Sequence, residues 1–375
     1  MENSHDFSRE CRTPREHKID ALLRVFHGEQ KQAGEFRHKN EWRESIMRIK
    51  PDVTNQDIEE IVKKSLSYSR SKEAMIKEND ARDYEGAEMR KYESVLEALI
   101  HYSGTQGTLY HSTKIAELGS DYDDKKSGVD VLIGLKDETV GTQIFSLDAC
   151  SAGNKQTIAR KFEKSRQANN RAYRPLCNEI RYCYYSEQDP QEGRKEHYRF
   201  VPMAPNYIVG ASKQTICQEL DEQLQLEGSI SYEFVNGTVS NDFCKKILTE
   251  IYFQSRTGYL MANNFINEHP EETPKAQVLT AKVAKKQHKI VADATRSNLY
   301  RLFGIDKNAE DASAKLDSAI FEFAQAKSQD ETYSTIFQIS ANEWTNARKE
   351  SKRIKNQKAQ AIAQKASSIA DALSA

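Results

Sequence analysis

Residues 129–135 read VDVLIGL and residues 142–150 read TQIFSLDAC, two runs in which apolar side chains recur at every second position. A β-strand imposes that period, because successive side chains point to opposite faces. The polar segment KDETVG between them predicts an antiparallel hairpin centred near Thr139. In that register Val131 faces Leu147 and Ile133 faces Phe145, and Val129, Leu135 and Ala149 complete one apolar face. The other face carries Asp130, Leu132, Ile144, Ser146, Asp148 and Cys150, with Asp130 across from Asp148. Opposed side chains lie about 4.5–5.5 Å apart at Cβ. Two ionised carboxylates so placed repel each other, and burial makes the repulsion worse. A proton, a lysine or a divalent cation relieves the conflict, and a solvated outer sheet face avoids it. Mg²⁺ suits the third option, since one or two carboxylates plus waters commonly hold it.

The flanking segments supply further candidates. KYESVLEALIHYS places Tyr92, Val95, Leu96, Leu99 and Ile100 on one helical stripe, with Glu93 at its border and Glu97 farther out toward the surface. In the helix after the second strand, Lys155 shares a stripe with Ile158 and Phe162, whereas Lys161 and Lys164 fall further round, toward solvent. The helix dipole disfavours a cation in the first turn. Pairing with Asp148, or activating a water beside a metal, gives Lys155 a reason to be there.

Along the rest of the chain, TNQD at 54–57 reads as a capping box before a short helix, IEEIVKKSLSY. GTLYHST reads as a short strand and SDYDDKKSG as an acidic loop. NEIRYCYYSE and the end of RFVPMAPNYIVGAS read as strands, and KQTICQELDEQLQLE as a helix. Asn236-Gly237 marks a small hairpin, after which long helical stretches run to the end. The division expected is a polar, basic N-terminal extension (1–80), a mixed core (81–226) and a mostly helical C-terminal region (227–375) with a basic tail.

In its order of elements this chain resembles the PD-(D/E)XK nuclease-like superfamily. The resemblance runs from the helix with Glu93 through TLYHST, GVDVLIGL with Asp130 and TQIFSLDAC with Asp148, then the helix with Lys155 and NEIRYCYY, roughly residues 85 to 190. It implies an α+β fold with a restriction-endonuclease-like α-β-β-β-α-β core flanked by helices. It also implies a Mg²⁺ ion on Asp130 and Asp148, helped by Glu93 or the Ala149 carbonyl, with Lys155 orienting or deprotonating a water that attacks a nucleic-acid phosphodiester. The triplet that ends in lysine in that superfamily reads Asp148-Ala149-Cys150 here, so an inactive nucleic-acid-binding or protein-interaction module is the alternative. The C-terminal helices are long enough for a homodimer to form through them.

Composition narrows the classes. Apolar residues make up 38%, charged residues 30% and the formal net charge is −1; mean hydropathy is −0.78. The whole chain is no polycation, but Arg and Lys crowd the first fifty residues and the tail, where they can hold phosphates. The six cysteines, at 11, 150, 177, 183, 217 and 244, form no CxxC pair, which fits free thiols in a reducing compartment. No secretory signal and no apolar run of roughly 18 residues is visible, so the expectation is a cytoplasmic protein without a membrane span. Phosphate-loop and dinucleotide fingerprints are absent. His101 and His111 read as structural or exposed, and Tyr182, Tyr184 and Tyr185 as core and surface filling rather than a base-stacking platform.

Overall fold

The computed structural model describes residues 15–17, 19–20, 22–24, 40–138, 141–151, 154–167, 176–189, 193–227, 239–268 and 274–374. The hairpin turn at 139–140 and the Asn236-Gly237 hairpin lie outside these residues. The chain is α+β. Its elements are α1 (Asn40–Ile49), α2 (Asn55–Arg82), α3 (Tyr84–Thr105), β1 (Thr113–Leu118), α4 (Asp121–Ser127), β2 (Val131–Asp137), β3 (Gly141–Cys150), α5 (Lys155–Gln167), β4 (Cys177–Asp189) and β5 (Gly193–Gly210). There follow α6 (Lys213–Glu227), α7 (Asn241–Glu268), α8 (Lys275–Leu302), α9 (Ala312–Ala326) and α10 (Glu331–Ser374). Among the described residues no helix is long and apolar enough to cross a membrane.

The strands form one mixed sheet in the order β1-β2-β3-β5-β4. The β2–β3 register has the predicted phase, with Val131 opposite Leu147 and Ile133 opposite Phe145. The strand expected in GTLYHST lies one step later, in TKIAEL. Turns consume the earlier stretch: Thr108 and Leu109 both donate to the Ser103 carbonyl, and Thr113 donates to Tyr110. Besides β2, β3 has β5 as its neighbour. NEIRYCYY forms β4 at the end of the strand order, and the last part of β5 runs parallel to β3, pairing Ser146 with Asn206 through Cys150 with Gly210. The earlier part of β5 pairs with β4 alone.

Both faces of β2 and β3 are buried. On one face Val131, Ile133, Phe145 and Leu147 pack with Leu96 and Leu99 of α3, Tyr207 of β5, Ile247 and Ile251 of α7, and Val291 of α8. Complete burial of a ring such as Phe145 is worth about 2–3 kcal/mol. On the other face the sheet curls, so that Ile180, Cys183 and Tyr185 of β4 join Ile115, Leu132 and Ile144 in a second cluster. This face is therefore not open to water, and the solvated alternative for the two aspartates fails. The first cluster also takes in Leu316 of α9 and Tyr333 of α10.

From Asn206 to its end, β5 has no strand on its outer side among the described residues. Helix α7 takes that place. Ile208 donates its N–H to Gln254 Oε1 (2.8 Å) and accepts from Gln254 Nε2 (2.7 Å), and Gly210 donates to Glu250 Oε2 (3.0 Å). Residues four apart on a helix rise about 6 Å, close to the step of two residues along a strand, which is why one helical face can serve both positions.

Candidate active site

Four short segments bring acidic groups to one place. Gly119 donates to the Asp130 carbonyl and Asp130 donates to the Leu147 carbonyl, which pins the backbone of Asp130 between the ends of β1 and β3. Its Oδ2 accepts from the Ala149 N–H at 2.6 Å. Asp148 stands near the end of β3, and the two aspartates are 5% and 4% exposed. Helix α3 adds Glu93 and Glu97, one turn apart, and α4 adds Asp124.

The segment expected to be an acidic loop is α4. Ser120 caps it, accepting from Asp123 N and donating to Asp123 Oδ2 (2.8 Å). Asp123 turns inward and accepts the N–H groups of Arg181 and Tyr182, both at 2.8 Å, which fastens the edge of β4. Gly128 ends the helix at φ +65°. A Cβ there would lie 2.4 Å from Asp148 Oδ2, so the carboxylate rests directly on the glycine.

The lysine that enters this cluster is Lys161. Its ammonium lies 2.7 Å from Glu93 Oε1 and 2.7 Å from Asp148 Oδ1, and it also donates to the Ala149 carbonyl. Lys155, expected in that place, is exposed at the first residue of α5 and does not line the cleft. Ile158, Phe162 and Ser165 are the buried face of α5, and Lys161 sits three residues after Ile158 on that face rather than toward solvent. Lys164 is exposed, as expected, at the cleft rim. Glu97, expected at the surface, also lines the cleft.

These groups line a cleft of about 850 Å³. Glu93, Glu97, Asp124, Asp130 and Asp148 contribute carboxyls to it, and Lys161 stands among them. Burial, then the charges of Glu97, Asp148 and Asp124, hold the Asp130 carboxyl well above the usual carboxylate range. Burial and the facing Asp124 and Glu93 do the same to Glu97. Burial pushes Asp124 up to about 6, against a hydrogen bond with Asp130. Burial alone would lower the Lys161 pKa, but Asp148 and Glu93 more than reverse that and hold it above the ordinary lysine value. At neutral pH Lys161 is therefore a cation and a proton donor in hydrogen bonds, not the base expected of a water-activating lysine. Lys72, Arg160 and Lys164 stand at the rim and have no acidic partner among the described residues.

Among the described residues no set of three or more His, Cys, Asp or Glu side chains is arranged around a metal position. The Lys161 ammonium takes up Asp148 Oδ1 and the Ala149 carbonyl. The donor chemistry nonetheless fits a hard divalent cation: oxygen ligands from Asp130 and Asp148, and more carboxyls than one ammonium can neutralise. Mg²⁺ needs only one or two such carboxylates from the protein.

Comparison of the chain with known protein families, with characterised proteins and with solved structures finds no match.

Proposed function

We propose that the chain is a Mg²⁺-dependent phosphodiesterase of the PD-(D/E)XK type that acts on nucleic acid, with its restriction-endonuclease-like core formed by α3, β1–β3, α5 and the C-terminal half of β5. One observation carries the reading. Lys161 bridges Glu93 and Asp148 at the mouth of a buried site that also holds Asp130. Acid on the helix, acid at the start of the second strand and acid near the end of the third are the positions the resemblance calls for. The lysine missing after Ala149 is supplied from α5 instead.

A divalent cation held by Asp130, Asp148 and the Ala149 carbonyl would supply positive charge at the phosphoryl oxygens. The chain's own groups do the rest. With the Ala149 carbonyl given over to the cation, Lys161 would keep its bonds to Glu93 and Asp148 and turn its third N–H, spent on that carbonyl here, to the attacking water or to a phosphoryl oxygen, balancing charge that grows in the transition state. The Ala149 N–H fixes the rotamer of Asp130. Lys72, Arg160 and Lys164 hold the flanking backbone phosphates.

The test is cleavage of labelled DNA and RNA, single- and double-stranded, in Mg²⁺ and in EDTA. The expected result is Mg²⁺-dependent cleavage that Asp148→Ala abolishes. Asp130→Asn keeps the fold and weakens Mg²⁺ binding measured by calorimetry; undiminished binding in that variant overturns the assignment of the ligand. Cys150 in the place of the triplet lysine, and the engagement of Asp148 by Lys161, favour a second reading, an inactive nucleic-acid-binding module. Salt-sensitive binding without cleavage selects it.

A further inference from the structure

Beside the carboxylate cleft, and sharing Glu73 and Asp121 with it, lies a smaller pocket of about 210 Å³. Leu66, Tyr122 and Tyr182 give it apolar and aromatic walls, Arg70 and Asp121 give it hydrogen-bonding groups, and Ser69 completes the lining. Its rings are locked. Tyr122 meets Tyr182 edge-on at 5.9 Å, the Arg181 guanidinium lies 4.8 Å from the Tyr122 ring centre, and Trp42 stacks on Tyr182 at 4.9 Å. The ammonium groups of Lys126 and Lys72 stand 5.3 and 5.8 Å from the neighbouring Tyr68 ring, and Lys72 also lines the cleft.

A small aromatic pocket, then a cation, then a phosphodiester site is the sequence of groups that one nucleotide presents: base, backbone phosphate, next phosphate. We infer that this pocket takes a single unpaired nucleobase of the strand whose phosphate lies in the cleft. The inference deepens the proposed function and rests on it. The flat ring lies against the tyrosine wall, and a base with an amino edge donates to the Asp121 carboxylate. The closeness of the two cavities, which share Glu73 and Asp121 as wall residues, favours a polynucleotide over a free nucleotide. A base that is paired and stacked in a duplex cannot enter without being extruded, so the preferred substrate is single-stranded or locally unpaired.

The experiment compares the full-length protein's affinity, in EDTA so that nothing is cut, for a single-stranded octanucleotide and for a base-free sugar-phosphate strand of equal charge. DNA and RNA versions are both measured. The expected preference for the strand with bases is about tenfold, the range of one stacked base. Ser69→Phe, which fills the pocket from an outer turn of α2, erases that preference and leaves binding of the base-free strand unchanged. Ser69→Ala, which empties nothing, keeps it. Equal binding of the two strands by the wild-type protein, or an undiminished preference in Ser69→Phe, overturns the base pocket alone. Failure to bind either strand removes the proposed function and the pocket with it. A nucleoside monophosphate that binds as tightly as the octanucleotide overturns the assignment to a strand.

Discussion

The ammonium of Lys161 lies 2.7 Å from the carboxylate of Asp148, thirteen residues away in the chain, and the same ammonium reaches Glu93 on a third element. Removing one member of such a buried set leaves the others without a counter-charge, which costs about 3–5 kcal/mol. Lys161→Ala is expected to lower stability by that order at pH 7 and to abolish cleavage. The stability loss shrinks at pH 5, because Lys161 also faces Asp130 and Glu97, whose carboxyls burial holds well above the usual range and which carry less charge there. Lys155→Ala, at an exposed position, leaves both properties unchanged. Thermal unfolding of the two variants at the two pH values checks this, and an equal effect of both substitutions would remove Lys161 from the site.

Two glycines with positive φ separate backbone strain from a side-chain collision. Gly141 at φ +77° has nothing within 4 Å of the place an alanine methyl would take, so Gly141→Ala costs only the left-handed backbone penalty, about 1–2 kcal/mol. Gly128 at φ +65° adds the contact with Asp148 Oδ2. Gly128→Ala is expected to cost more than Gly141→Ala and, alone of the two, to lower catalytic turnover by displacing Asp148. Denaturant titration and a cleavage assay on each variant distinguish them.

The acidic cluster gives stability a pH dependence of definite sign. Burial pushes Asp123 and Asp124 each up to about 6, against about 3.9 in an unfolded chain. Between those values the folded state binds more protons than the unfolded one, so the contribution is fully present below about pH 4 and is lost as pH rises through 6. A two-unit shift amounts to about 3 kcal/mol per group. Urea titrations at pH 5 and pH 7.5 are expected to show this loss, and Asp124→Asn to reduce it. The same pH dependence in Asp124→Asn and wild type would exclude Asp124 as a source.

Helix α7 offers a test of edge sealing. Glu250→Gln keeps an acceptor for the Gly210 N–H and removes a carboxyl that burial already holds well above its usual range, so stability is unchanged or higher. Gln254→Ala strands both backbone groups of Ile208 and is expected to cost about 2–6 kcal/mol, at about 1–3 kcal/mol for each stranded group. Chemical unfolding of the pair checks the contrast.

The hairpin was legible because its register is over-determined: a slip of one residue would turn Val131, Ile133, Phe145 and Leu147 away from the core. Its two aspartates therefore fell on one face by arithmetic. The lysine was missed for want of phase. Lys155 and Lys161 both stand three residues from Ile158, and only Ser165, buried further along, marks the C-terminal side as the inward one. The signal for α4 was present in Ser120 and Asp123, a serine with an acid three residues on, but the density of charge around it read as loop. Which strand would lie beside β3 was not legible. NEIRYCYY and PNYIVG have the same character, and the choice depends on the long-range curl that brings β4 over Leu132 and Ile144.

A glutamine side chain that imitates a strand has a further effect. With both backbone groups of Ile208 answered by Gln254 and the Gly210 N–H by Glu250, three main-chain groups at this margin of the sheet are already engaged and not on offer to a stranger's backbone. Strand addition by a second copy of the chain is disfavoured at this margin.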